Sequence, residues 1–210
     1  KPQVLIITGR ETRSVTAVSK VLQHDPLQHT LKPDGEYPAS IPQQVWPVAS
    51  HLKTNLLVKM YRRIRATSML VIADDDEVAD HLAHRLRAVE SSAATLHNND
   101  SAESQTSLRT RFEAGEIKLL LLAGNIPAKL RVEKVTHVVN YGLPSDITVY
   151  FNMLHRVPRA VYLNLVSPRE EERVLEIEDR IGRPLFRALL HDFDYSQQER
   201  KRERTSRPKR

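Results

Sequence analysis

The 210-residue chain contains no cysteine. Neither a disulfide nor a thiolate-held zinc can staple it, and it suits a reducing compartment such as the cytoplasm. No apolar run approaches the roughly 20 residues a membrane helix needs, and nothing resembles a secretory leader, so no membrane partner is expected. The chain also lacks G-x-x-x-x-G-K-S/T, lacks D-E-A-D, and has no glycine-rich turn after a strand. Nothing in it can cradle nucleotide phosphates unaided. The nine histidines show no ligand spacing beyond His81 and His84, which fall on the solvent side of a helix pattern, so no metal site is expected.

Positive charge is what the chain does have. The formal net charge is +6, and residues 196–210 hold seven Lys/Arg against two Glu, leaving the body nearly neutral. A charge run of this kind reads as a disordered arm that grips an anionic polymer with little sequence preference, or as a solubilising tail.

Between these limits, apolar strands alternate with amphipathic helices, which predicts an α/β fold on a parallel sheet. A strand at Val4–Ile7, a helix from about Thr12 to Leu22 and a short strand near Leu27–Leu31 come first. An opening strand this apolar needs neighbours on both sides, so residues 1–31 read as the end of a domain begun elsewhere. Residues 32–44 are proline-rich and read as a linker. A short strand and a helix capped at Ser50 follow, with Leu52, Leu56, Met60 and Ile64 on one face. Met69–Ala73 is a buried strand. Asp74, Asp75 and Asp76 then read as acids at a helix N-terminus rather than as a cation site. A strand ending at Leu96, a helix from Ser101 to Phe112 stopped by Gly115, and strands over 117–123, 136–141 and 161–166 complete the pattern. A last helix is predicted to begin at Pro168 and end at Gly182.

The stretch GEIKLLLLAGN…VTHVVNYGLPSDITVYFNMLHRVPR resembles the second RecA-like domain of DEAD-box RNA helicases across their motifs V and VI. QVLIITGRETRSVTAVSKVLQHDP is similar to the end of that family's first domain, with Thr8, Gly9 and Arg10 at its motif III. The resemblance implies a RecA-like parallel sheet flanked by helices over residues 45–195, preceded by the tail end of another RecA-like domain and followed by a basic tail over 196–210.

The resemblance carries expectations about the site. His97 and Gln105 stand where the family contacts RNA, and Arg200, Lys201, Arg202 and Arg204 of the tail would add phosphate contacts. Arg156 and Arg159 match the two family arginines that reach nucleotide phosphates, and they are the candidate catalytic residues. The family's RNA-contacting Thr and its neighbouring Asp become Ala123 and Gly124, and the Asp that meets the ribose becomes Arg131. A guanidinium only donates hydrogen bonds, so it cannot accept from ribose hydroxyls. The chain is therefore expected to bind RNA and to complete an ATP-dependent remodelling site together with an upstream RecA-like domain, ATP and magnesium being cofactors only with that domain. The alternative is a helicase-shaped module that binds RNA or a protein partner without turnover.

Overall fold

A computed structural model describes residues 13–22, 40–64 and 66–195. The chain divides into two compact units, residues 1–36 and 37–210. In the first, α1 (Arg13–Leu22) matches the predicted helix. The strands expected at 4–7 and 27–31, most of the linker, Thr8, Gly9 and Arg10, and the tail with Arg200, Lys201, Arg202 and Arg204 lie outside the described residues.

Among its described residues the second unit holds seven strands: β1 (Gln43–Pro47), β2 (Met69–Ala73), β3 (Ala94–Leu96), β4 (Leu119–Ala123), β5 (His137–Asn140), β6 (Val161–Val166) and β7 (Phe186–Arg187). All pair in parallel, in the order β3-β4-β2-β5-β6-β1-β7. β1 starts two residues inside the stretch read as linker. The helices are α2 (Lys53–Ile64), α3 (Asp76–Leu86), α4 (Ala102–Ala114), α5 (Ile147–Arg156) and α6 (Glu171–Ile181).

Successive strand residues point to opposite faces, and the core divides accordingly. Leu70, Ile72, Leu120, Leu122, Val138 and Tyr162 pack with Phe112 of α4, Tyr150 and Leu154 of α5 and Val174 of α6. Met69, Val71, Leu119, Leu121, Val139 and Leu163 pack with Leu56 and Met60 of α2 and Leu82 and Leu86 of α3. Strands covered on both faces must be apolar throughout, which is why MLVIA and LLLLA show no alternation.

Two helix starts differ from the sequence reading. Ser50–Leu52 forms a single 3-10 turn without a side-chain cap, and α2 begins at Lys53. α6 begins at Glu171 rather than Pro168. Residues 167–170 form a turn because the Glu170 carboxylate folds inward, accepting from the Ser167 N–H at 2.8 Å and from Lys53 Nζ at 2.6 Å. Gly115 ends α4 as expected, in the left-handed region at φ 84°, which a side chain with Cβ seldom enters. After β7 the chain crosses to the α2 side, where Leu190, Phe193 and Tyr195 join the second core. Asp192 there pairs with Arg63 at 2.8 Å.

Candidate functional site at the carboxyl edge of the sheet

Open parallel sheets offer a crevice beyond the carboxyl ends of their strands. Here β4, β2 and β5 end side by side, tied by Gly124 N–H to the Ala73 carbonyl at 2.8 Å and Tyr141 N–H to the Ile72 carbonyl at 2.9 Å. Beyond them lies an open cleft of about 460 Å³, lined in part by Asp74, Gly124, Gly142, Asp146, Met153 and Arg173.

Charged side chains fix the cleft's wall. Lys53 Nζ donates to the Tyr141 carbonyl at 2.8 Å, Leu143 N–H donates to Glu170 Oε1 at 2.9 Å, and Arg173 donates to the Leu143 carbonyl at 2.7 Å. The Lys53 and Glu170 side chains are only 7% and 12% exposed, so the pair is largely withdrawn from water. Burial works to raise the Glu170 carboxyl, but hydrogen bonds from Lys53 and Ser167 outweigh it and hold its pKa below the ordinary value. Gly142 lies beneath the Asp74 carboxylate, and a Cβ there would meet Asp74 Oδ1 at 2.7 Å and Glu170 Oε1 at 3.2 Å. Sequence reasoning missed Lys53 and Glu170. They are 117 positions apart, and no local pattern marks either of them.

Asp75 is the N-cap of α3, accepting from Val78 N–H at 2.8 Å, and Asp76 and Glu77 occupy its first turn. Among the described residues, no cluster of three or more His, Asp or Glu could hold a metal ion. His97 closes β3, with its ring against Asp76 and Asp80 of α3. Gln105 of α4 reaches back to the same turn, its Nε2 donating to the carbonyls of His97, Asn98 and Asp100 at 3.2, 2.9 and 3.1 Å. The structure thus brings His97 and Gln105 together and engages both within the domain. Gln105→Ala is expected to cost about 1 kcal/mol and to speed amide exchange over residues 97–100. Exchange left unchanged would show that the amide does not hold the turn.

At the end of α5 the two candidate arginines differ. The Arg156 guanidinium donates to three carbonyls of the segment after β4, those of Pro127 (3.2 Å), Ala128 and Leu130 (2.8 Å). Arg159, three residues on, is exposed and has no hydrogen-bond or ion-pair partner among the described residues. Arg131 is 77% exposed, near Glu113 at 4.0 Å. Lys129 is exposed in the same segment.

A seven-stranded parallel sheet in this order, with a cleft at its carboxyl edge, is the RecA-like architecture of helicase motor domains. The family model for the helicase conserved C-terminal domain matches residues 52–161. The chain belongs to that family, as a C-terminal domain of the DEAD-box type. It is 27% identical over 195 residues to the ATP-dependent RNA helicase DeaD of Mycobacterium tuberculosis, covering 90% of this chain and 34% of the relative. It is 20% identical over 190 residues to the ATP-dependent RNA helicase FAL1 of Kluyveromyces lactis, covering 84% of this chain and 46% of the relative. It therefore spans less than half the length of these relatives.

Among solved structures, E. coli SrmB bound to the regulator of ribonuclease activity RraA superposes with a TM-score of 0.64 at 21% identity, covering 71% of this chain and 91% of that one. The S. cerevisiae Dbp5 C-terminal domain bound to Gle1 and IP6 gives 0.65 at 18% identity, covering 78% and 97%. Domain 2 of Mss116p bound to an RNA duplex gives 0.61 at 17% identity, covering 75% and 67%.

Proposed function

We propose that this domain is the second half of an ATP-dependent RNA-remodelling protein of a reducing, cytoplasmic setting, and that it closes on an upstream RecA-like domain around RNA. The observation that carries this reading is the division of roles at the end of α5. Arg156 is committed to the 127–130 backbone, while Arg159, exposed and without a partner among the described residues, is available to meet a negative charge. The residues here fit only the phosphate end of a nucleotide. Arg131 cannot accept from a ribose, so base and sugar would be held by the other domain, and magnesium with them. ATP, once bound there, would supply the phosphoryl chemistry. The names of the relatives and the RNA duplex on Mss116p support RNA as the polymer.

The test is fluorescence anisotropy of a labelled single-stranded RNA titrated with the chain over a salt series. The logarithm of the association constant should fall linearly with that of salt, with a slope near −0.7 per phosphate contact, and removing residues 196–210 should weaken binding and flatten the slope. No binding at low salt would sink the RNA reading. A second reading then gains: a non-hydrolysing module that docks a protein, as SrmB and Dbp5 hold RraA and Gle1. The carboxylates of Asp74, Asp75 and Asp76 favour it, because they would repel an RNA backbone at this edge.

A further inference from the structure

Both ring nitrogens of His97 face carboxylates of α3. Asp80 Oδ1 lies 3.1 Å from Nε2 in hydrogen-bond geometry, and the buried Asp76 Oδ1, which has no hydrogen-bond partner, lies 2.8 Å from Nδ1 at ion-pair distance. Asp76 and Asp80 are four residues apart, so their side chains share one stripe of the helix. A neutral imidazole has one N–H and one bare lone pair, so only the imidazolium presents a proton and a positive charge to both acids.

We propose that His97 is a proton-operated latch: protonated, it ties the turn after β3 to α3, and deprotonated, it gives up one carboxylate and loosens that tie. The charged groups around the ring are Asp76 and Asp80 of α3 and Asp100 of its own turn. From α4 the neighbour is the uncharged Gln105, which keeps its hold on the turn's carbonyls whatever the pH. The Asp76 contact is the largest influence, and with Asp80 and Asp100 it outweighs the opposing effect of partial burial, raising the pKa above 6.5. A raised pKa fixes the sign. The latch contributes stability in full below pH 6.5, the value of the unfolded chain, and loses it as pH rises through the higher folded value.

The test is an NMR titration of the histidine Cε1 protons in the whole chain, alongside Asp76→Asn and Asp80→Asn. His97 is expected to titrate above 6.5 in the wild type and lower in each variant, with the larger change in Asp76→Asn. Amide protection factors over residues 97–101 should fall as the wild type passes the His97 midpoint, and stay level in His97→Asn over the same range. A midpoint at or below 6.5, or wild-type protection that does not change across it, overturns the latch. Should Asp76→Asn fail to fold, Asp80→Asn carries the comparison alone.

Discussion

If the domain completes an ATPase with an upstream RecA-like domain, as proposed, Arg159→Ala in the joined protein is expected to lower RNA-stimulated ATP hydrolysis by about 10³-fold or more, the range measured for arginines that face a transferred phosphoryl group. Its melting temperature should not move, because Arg159 is exposed and has no partner among the described residues. Arg156→Ala should behave differently. It removes a charged donor from the carbonyls of Pro127, Ala128 and Leu130. Bonds to charged groups are worth about 1.5–3 kcal/mol, so a loss of about 2 kcal/mol and a fall of roughly 4–8 °C are expected for a chain of this size. Thermal melts and a steady-state assay on both variants separate the roles. Retained hydrolysis in Arg159→Ala would remove that residue from the phosphate site. If the unmutated protein does not hydrolyse ATP, the module without turnover is the correct reading.

The largest expected loss of stability lies at Glu170. Removing one member of a withdrawn ion pair leaves the other charge uncompensated, at a cost of about 3–5 kcal/mol. Glu170→Ala strands Lys53 and frees the Leu143 N–H and Ser167, so the melting temperature should drop by roughly 6–20 °C. The double variant Lys53→Met, Glu170→Leu should recover part of that, because two apolar groups leave no buried charge. Urea melts of the single and double variants decide it. A double variant worse than the single would mean that backbone bonding by these side chains outweighs the cost of their charge. The depressed Glu170 pKa gives the pH dependence. The pair's contribution is complete above about pH 4.5, the ordinary carboxyl value, and is lost as pH falls through the lower folded value.

The frame of the domain was legible because its strands are covered on both faces. Runs such as Met69–Ala73 and Leu119–Ala123 must be apolar at every position, and the glycine after α4 marks a helix end by its backbone alone. Asp74, Asp75 and Asp76 were legible together as acids at a helix N-terminus, and the structure makes Asp75 the cap. The site was less so. Arg156 and Arg159 look equivalent in the string, three positions apart, and only the path of residues 127–130 past the end of α5 gives one of them a structural task. His97 and Gln105 were read as outward contacts, whereas the structure engages both at home. Lys53 carries no signature at all, because its partners, Tyr141 just after β5 and Glu170 just before α6, are far away in the chain.

One residue joins distant parts of the domain. Leu143 is gripped on its N–H by Glu170 and on its carbonyl by Arg173, both at the N-terminal end of α6. The same helix holds Arg187 of β7 through Glu171 and Glu178. The cleft wall and the outermost strand, at different places on the sheet, thus share one helix as their common anchor.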